Sequence, residues 1–293
     1  MVTDEVELAW DAGARIGEGP VWDGPLRTLV WLDIPRGLVH GWHHDDGPRE
    51  PFAVGQPVGA VAPRASGGLV AAVRDGFAFL QPGSGRVSTI DDTESDRPGN
   101  RMNDGKCDPA GRFWAGTMAL DERPGAGALY RLDPDLRVER VLDGVTISNG
   151  LGWSPDGATM YYIDSPTGGV DAFDYDPDTG AVAGRRRLTD VAGPQGIPDG
   201  LTVDAEGCLW VAVFGGGRVQ RHAPDGALLD TVTLPVTQVT SCAFGGPDLD
   251  ELYITSARQG LSEEALRDQP HAGGLFRHRP EGVVGLPVHQ FLG

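Results

Sequence analysis

The sequence predicts an all-β protein folded as a six-bladed β-propeller, and three observations lead to that prediction. A phrase made of a small polar turn, a glycine and a strand of apolar and aromatic residues recurs about six times. The turn glycines follow one another at intervals of 43 to 50 residues, which is the size of a four-stranded propeller blade. Six units of about 49 residues consume the chain, so residues 1–293 are expected to form a single domain.

The repeated phrase is clearest in the middle of the chain. Its three best copies read DPAGRFWAGTM at 108–118, SPDGATMYYIDS at 154–165 and DAEGCLWVAV at 204–213. Weaker copies begin at residues 23, 65 and 246. A second hairpin follows each phrase, such as GALYRLDPDLRVERVL at 127–142, and supplies the two outer strands of a blade. The best helical stretch, SEEALRD at 262–268, is long enough for a single turn or two.

Charge and composition exclude several classes of partner. The net charge of −18 repels nucleic acid and anionic lipid. The N-terminal stretch MVTDEVELAW is acidic and lacks the apolar segment of a signal peptide, and no apolar run is long enough to span a membrane. We therefore predict a cytoplasmic protein, a monomer or small homo-oligomer, that acts on a small molecule and binds neither nucleic acid nor membrane.

The three cysteines carry no recognisable chemistry. Cys107, Cys208 and Cys242 are far apart in the sequence and form no CxxC pair, which argues against a zinc ribbon and a redox motif. We predict that they are small buried strand residues in a reducing compartment.

Polar residues occur at one repeated offset before the turns. Asn103, Asn149 and Asp199 each lie eight residues before a turn glycine, and Glu18 lies six before Gly24. In a propeller the innermost strand of each blade lines the central channel, so these side chains are expected to aim their oxygens at one axial point. Each one alone is also a common turn residue. The shared offset in three blades favours a site.

The predicted axial set suits a metal ion. Two carboxylates and an amide carbonyl match the all-oxygen preference of Ca²⁺, Mg²⁺ or Mn²⁺. Without a cation, two carboxylates facing each other in a channel would repel, and one would take up a proton. Asp104 is predicted to orient Asn103 or a metal-bound water from behind the ligands. Lys106 is predicted to be a solvated turn residue.

Four motifs together resemble a known family. GEGPVW, NRMNDGKCDPAGRFWAGTM, ISNGLGWSPDG and IPDGLTVDAEGCLWVA are similar to segments of the senescence marker protein (regucalcin), gluconolactonase and luciferin-regenerating enzyme family, and the resemblance covers essentially the whole chain. It implies a six-bladed propeller with one axial divalent metal and, for most characterised members, hydrolysis of sugar lactones. It implies Glu18, Asn149 and Asp199 as metal ligands and Arg101 and Asn103 as the pair that contacts the sugar.

One loop departs from the family pattern. The closely similar animal proteins carry a substrate-contacting Glu after the GTM motif, and the matching residue here is Asp121, which is one methylene shorter. We predict that Asp121 binds substrate, with Glu122 as a possible substitute. Whether the loop 119–127 closes over the site stays open at this point.

The resulting functional prediction is a lactonase dependent on one divalent ion, Ca, Zn, Mn or Mg. Asp199 is predicted to act both as a metal ligand and as the catalytic general base, while Arg101 pairs with substrate hydroxyls or stabilises the developing oxyanion. Two alternatives remain: hydrolysis of another ester or a phosphotriester on the same metal site, and a non-catalytic calcium-binding propeller.

Overall fold

A computed structural model describes residues 6–191 and 195–293 of the chain. These residues form six antiparallel sheets, each built from strands that are largely consecutive in sequence. The sheets surround a channel lined by the first strand of each repeat, so the prediction of an all-β, six-bladed propeller is confirmed.

The first three blades follow the predicted repeats. The N-terminal strand β1 (Glu7–Trp10) stands apart from them and belongs to the last blade. The first blade comprises β2 (Gly17–Asp23), β3 (Thr28–Asp33), β4 (Leu38–His43), β5 (Gly47–Pro48) and β6 (Phe52–Ala53). The second comprises β7 (Val58–Pro63), β8 (Leu69–Val73), β9 (Gly76–Gln81) and β10 (Arg86–Asp91). The third comprises β11 (Asn100–Cys107), β12 (Phe113–Ala119), β13 (Gly127–Leu132) and β14 (Val138–Val145).

The last three blades complete the ring. The fourth comprises β15 (Ser148–Trp153), β16 (Thr159–Asp164), β17 (Gly169–Tyr175) and β18 (Val182–Asp190). The fifth comprises β19 (Ile197–Val203), β20 (Leu209–Phe214), β21 (Arg218–His222) and β22 (Leu228–Thr233). The sixth comprises β23 (Val239–Gly245), β24 (Glu251–Ser256), β25 (Leu275–His278) and β1. The short helix α1 (Glu263–Asp268), capped by the Ser262 hydroxyl, interrupts this blade where the sequence predicted it.

The N-terminal strand closes the ring. β1 pairs antiparallel with β25, with Glu7 opposite Arg277, so the sixth blade contains both early and late parts of the chain. The Arg277 guanidinium also donates to the Glu7 carboxylate at 2.7 Å. Opening the ring therefore requires the loss of a strand pairing as well as the separation of two blades.

Every innermost strand contains a β-bulge at an equivalent height. In β2, β7, β11, β15, β19 and β23, the inner strand has one residue more than its partner across the shift. The shifts occur between Glu18 and Val21, between Met102 and Gly105, and at equivalent places in the other blades. A bulge bends a strand and changes the direction of the neighbouring side chain. Polar side chains at these positions can therefore point out of the sheet and into the channel.

Glycines at the bulges allow the inner strands to approach closely. A Cβ atom at Gly200 would lie 2.1 Å from the Ser241 hydroxyl of the next blade. A Cβ atom at Gly150 would lie 2.8 Å from the carbonyl oxygen of Asp199. Both distances are shorter than any side chain tolerates, which explains the pairs Asn149-Gly150 and Asp199-Gly200.

Buried aspartates hold the recurring turns. Asp204 accepts from the backbone N–H groups of Glu206 and Cys208 at 3.0 and 2.9 Å, and from the Trp210 indole at 3.0 Å. Asp108 does the same for its own turn, where it accepts from the Trp114 indole at 2.9 Å. The repeated phrase thus contains a D-x-x-G-x-x-W unit whose carboxylate satisfies buried donors at both ends of the turn.

The hydrophobic core is divided among the six interfaces between neighbouring blades. Trp31, Trp114 and Trp210 are fully buried in it, and the three cysteines are buried and unpaired as predicted. No helix among the described residues has the length and apolar character needed to cross a membrane. The predicted location and oligomeric state stay predictions.

The C-terminal segment crosses one face of the disc. Gly285 N–H donates to the Leu249 carbonyl of the sixth blade, and Phe291 pairs with the second blade through the Pro63 carbonyl at 2.9 Å. The buried Phe291 ring packs in the core between the second and third blades. Residues 286–289 lie between these two anchor points. They cover one end of the channel, the end at which the inner strands finish.

Candidate functional site

Five polar side chains from four blades meet in the channel. They are all buried and occupy the bulges of β2, β11, β15 and β19: Glu18, Asn103, Asp104, Asn149 and Asp199. The Asn103 amide donates to the Asn149 side-chain oxygen at 2.8 Å, which joins the third and fourth blades directly. The charge of Asp199 raises the pKa of Glu18, although the two residues are 181 positions apart in sequence. The axial convergence expected from the repeated offset is present.

A chain of hydrogen bonds fixes the two amides. The Asn103 amide nitrogen also donates to the Ser148 carbonyl at 2.8 Å. The Asn149 amide nitrogen donates to the Ser165 hydroxyl at 2.7 Å. With its nitrogen held in this way, the Asn149 oxygen faces Asn103 and keeps one lone pair for a further partner.

The Glu18 carboxylate has no cation beside it. Its Oε2 accepts from the Gly19 N–H at 2.6 Å, and no Lys, Arg or His nitrogen of the described residues lies within 4.0 Å of it. Burial raises the pKa of Glu18 well above its usual value, and the charges of Asp199 and Asp104 raise it further. The Gly19 bond and the more distant Arg101 act in the opposite direction.

Asp199 and Asp104 share this environment. Burial raises the pKa of Asp199 well above its usual value, and the Asp104 charge adds to the effect. Burial also raises the pKa of Asp104, against the opposing influence of Lys106 and of the Gly105 N–H, which donates to Asp104 Oδ1 at 2.7 Å. Three buried carboxylates without an ion-pair partner are costly unless a cation joins them.

The donor set fits a hard divalent cation. Glu18 and Asp199 offer carboxylate oxygens and Asn149 offers an amide oxygen, which are the ligands that Ca²⁺, Mg²⁺ and Mn²⁺ prefer. A second acidic group, Asp204 with Glu206 and Cys208, also has its ligand atoms close together. The Arg221 guanidinium already occupies that group, donating to Asp204 at 2.7 Å and to Glu206 at 2.6 Å. The axial set is therefore the better cation site.

Arg101 stands beside the axial set at the start of β11. Its NH1 donates to the Asn103 side-chain oxygen at 2.6 Å and to the Met102 carbonyl at 3.0 Å. Burial lowers the pKa of Arg101 to about 10, against the charges of Glu18, Asp199 and Glu122. The guanidinium therefore stays charged at neutral pH, and it is half-buried next to the Asn103 amide.

The loop after β12 places its two acids differently. Asp121 is exposed, and its Oδ1 accepts from the Arg123 N–H at 3.3 Å within the loop. Glu122 adopts a positive φ of 54°, and its charge acts on Arg101. Both acids are exposed, and the roles of Asp121 and Glu122 towards a substrate stay predictions.

The prediction for Lys106 was wrong. Lys106 lies within β11 and its Nζ donates to the Leu201 carbonyl of β19 at 2.6 Å, so it spans from the third blade to the fifth. It belongs to the channel and not to a solvated turn. The strand continues through the NDGK stretch because the bulge absorbs the extra residue there.

Two further residues hold the site amides in place and were not predicted from the sequence. Ser165 directly follows β16 and holds the Asn149 amide. Ser148, at the start of β15, accepts from Asn103 through its carbonyl and from the Tyr162 hydroxyl through its own hydroxyl at 2.8 Å. The only available signal was a serine at the start of β15 and another directly after β16, and serine is too common in such places to mark a function.

The fold and this site define a class, the six-bladed β-propellers with a polar centre on the axis. A family model for the SMP-30/Gluconolactonase/LRE-like region matches residues 16–258. Regucalcin from Gallus gallus is 44% identical over 299 residues, which cover 100% of each chain. The chain belongs to the SMP-30/Gluconolactonase/LRE-like family.

Solved structures agree with this assignment. A calcium-binding protein, regucalcin, from Agrobacterium tumefaciens matches with a TM-score of 0.93 and 31% identity, covering 98% of this chain and 97% of that chain. A gluconolactonase from Xanthomonas campestris matches with a TM-score of 0.76 and 26% identity, covering 94% and 89%. Both similarities extend over nearly the whole propeller.

Proposed function

We propose that this protein is a divalent-metal-dependent hydrolase that opens sugar lactones. The observation that carries the proposal is the axial set of buried oxygen ligands, in which Glu18 and Asp199 have no cation partner among the described residues. Membership of a family that includes gluconolactonases supports lactones as the substrate class. The neighbouring Arg101 and Asn103 favour a substrate rich in hydroxyl groups.

Glu18, Asn149 and Asp199 would hold the ion. When bound, a divalent cation supplies Lewis acidity that polarises a carbonyl and lowers the pKa of water. The structure's own contribution is a fixed Asn149 oxygen, since Ser165 holds the amide nitrogen. Opening of the lactone adds water across the ring C–O bond and yields the corresponding hydroxy acid.

Asp199 would act as the general base. Its carboxylate is buried in the axial set, where it would face a water beside the ion. It would take a proton from the attacking water and return it to the ring oxygen as that oxygen leaves. Arg101, charged and half-buried, would orient the sugar hydroxyls or stabilise the negative charge on the former carbonyl oxygen.

The test removes metal with chelator and follows hydrolysis of D-glucono-1,5-lactone by proton release while Mn²⁺, Zn²⁺, Mg²⁺ or Ca²⁺ is added back. We expect metal-restored turnover in the wild type and a loss of at least about 100-fold in Asp199→Ala. A matched control, Asp225→Ala, removes an exposed turn aspartate of the same blade and should keep full activity. Turnover that persists in the chelated protein would contradict the proposal.

A second candidate is a calcium-binding propeller without catalysis, which the calcium-binding regucalcin from Agrobacterium tumefaciens favours. It predicts Ca²⁺ binding that depends on Glu18 and Asp199 but is insensitive to Arg101→Met. Tight binding of Ca²⁺ with no turnover of a panel of aldonolactones, esters and phosphotriesters would select this candidate. If only an ester or a phosphotriester is hydrolysed, the proposed metal site would stand but the proposed substrate class would be wrong.

A further inference from the structure

Lys106 is the only lysine of the chain. Lysine and arginine together number 24, so the other 23 basic residues are all arginines. This single lysine lies on the innermost strand of the third blade and donates to the Leu201 carbonyl at 2.6 Å. Leu201 is two residues beyond Asp199 on β19, so the ammonium reaches the region directly behind the proposed ion ligands.

The Lys106 ammonium forms no ion pair with the described residues. Among the described residues, its one hydrogen bond is to the Leu201 carbonyl, and no carboxylate oxygen lies within 4.0 Å of it. An ammonium has three donors, so two remain. Its nearest charged neighbours are Asp104 and, further away, Glu18 of the axial set. The positive charge therefore acts on the centre as a whole and not on one bonded partner.

Water screens this charge poorly. Lys106 and Asp104 line a cavity of about 100 Å³ on the side of the channel away from Arg101. The C-terminal residues 286–289 close that side, and valine side chains from three blades line the walls. Charges in such a partly enclosed, partly apolar space interact more strongly than charges at the surface.

The formal charges of the axial centre can be counted. With every group in the ionised form that a bound cation favours, Glu18, Asp104 and Asp199 contribute −3, while Arg101 and Lys106 contribute +2, which leaves −1 from the side chains. A divalent cation changes this balance to +1. Without Lys106 the same centre would have −2 before and 0 after the cation binds. One lysine thus decides whether the loaded centre is positive or neutral.

We propose that Lys106 sets the electrostatic balance of the axial centre, so that it weakens cation binding and makes the loaded centre net positive. A net positive centre stabilises the negative charge that develops on the lactone oxygen during attack by water. Lys106 is in this sense a positioning residue that acts through charge and does not touch the substrate. The inference rests on the proposed function and adds that the same site also requires the positive charge of Lys106.

The test is a charge series measured by calorimetric titration of the chelated protein with Mn²⁺. Lys106→Met keeps the length of the side chain and should lower the Kd at least about tenfold, whereas Asp104→Asn should raise it by a similar factor. Lys106→Arg keeps the charge and should stay near the wild-type Kd. Arg86→Met removes an exposed arginine of the second blade and should leave the Kd unchanged.

Turnover should move in the opposite direction to affinity. At saturating Mn²⁺, Lys106→Met should lower kcat for D-glucono-1,5-lactone at least about tenfold while it binds the ion more tightly. A lysine that serves only to tie two blades together would give weaker binding, lower kcat and a lower Tm at once. That pattern, or an unchanged Kd in Lys106→Met, would overturn the inference.

A spectroscopic readout separates the two proposals. Because the chain has one lysine, labelling with ¹³C-lysine gives a single set of lysine resonances, and Mn²⁺ can be replaced by diamagnetic Ca²⁺. We expect the Lys106 Cε resonance to shift as Ca²⁺ saturates the protein, and to stay in place when the ion is added to Glu18→Gln. Absence of ion binding to the wild type would refute the proposed metal centre itself, whereas binding without a Lys106 shift would overturn only the role of Lys106.

Discussion

At the residue scale, the candidate site depends on the orientation of two amides. Arg101 donates to Asn103, Asn103 donates to Asn149, and Asn149 donates to Ser165. Each bond fixes which end of the next side chain faces the channel, because an amide has a donor end and an acceptor end. The proposed ligand oxygen of Asn149 is therefore set by residues that do not face the ion.

We expect Ser165→Ala to weaken Mn²⁺ binding by about 10-fold to 100-fold, which is the usual cost of losing a partner that orients a metal ligand. The Asn149 nitrogen would lose its 2.7 Å acceptor and the amide would be free to rotate. Calorimetric titration of the chelated protein measures the effect. Ser84→Ala, in an exposed turn, is the control, and equal affinities in the two variants would show that Ser165 does not orient the ligand.

The two acids after the GTM motif can be separated by their effect on KM. Both side chains are exposed, but the Glu122 charge acts on Arg101, so Glu122→Gln should raise KM for the lactone several-fold. Asp121→Asn should change KM by less than about twofold, since the Asp121 carboxylate is bonded to the Arg123 N–H within the loop. Steady-state kinetics at saturating metal check both values. A larger effect of Asp121→Asn than of Glu122→Gln would indicate that Asp121 contacts the substrate, as the family resemblance implies.

At the element scale, the bulges of the inner strands connect the repeat to the site. One extra residue in each inner strand turns polar side chains towards the axis without ending the sheet. The glycines that follow Asn149 and Asp199 leave room for the next blade, and the glycine that follows Asp104 leaves room for the neighbouring strand β12. Sequence pairs that read as simple turns are therefore strand positions.

We expect Gly200→Ala to destabilise the fold by about 1–3 kcal/mol or more, the range for overpacking a core. The new methyl group would lie 2.1 Å from the Ser241 hydroxyl oxygen. Chemical denaturation measures the loss, and the double variant with Ser241→Gly should recover part of it because the hydroxyl is removed. Gly83→Ala, which would meet no atom within 4 Å, is the control. Equal stability of Gly200→Ala and Gly83→Ala would contradict the close approach.

At the scale of the whole molecule, both chain termini close the structure. β1 completes the last blade, and the C-terminal segment crosses the channel end from the sixth blade to the second. The charged centre is thus enclosed on one side by the chain itself. The other side, where Arg101 and the 119–127 loop lie, is the route that a substrate would use.

The contribution of the histidines to stability should fall below about pH 6.5, because they are buried uncharged, whereas the raised carboxyl pKa values of Glu18 and Asp199 act in the opposite direction. His40 packs against Trp31 with ring centroids 4.4 Å apart, and neither ring nitrogen has a hydrogen-bond partner among the described residues. Burial lowers the pKa of His40, as it does for His222. The unfolded chain then binds more protons than the folded one between the two pKa values, so the free energy of unfolding decreases as the pH falls through that window.

Urea denaturation between pH 5 and pH 7.5 tests this dependence. His40→Phe keeps an aromatic ring and should reduce the slope by up to about 1.4 kcal/mol per pH unit, the value for one proton. Glu18 and Asp199 titrate in both proteins, so the difference between wild type and variant isolates His40. His271→Gln, an exposed site, is the control. A slope that His40→Phe leaves unchanged would show that His40 does not contribute to acid destabilisation.

The sequence by itself determined the blade count and the residues of the axial site. Turn glycines at regular intervals fixed the repeat, and the offset of Asn103, Asn149 and Asp199 marked the inner strands, because both features are local and recur in each unit. The tertiary structure decided what depends on contacts between blades. It assigned Lys106 to the channel and β1 to the last blade, since each of these rests on a partner that is distant in sequence.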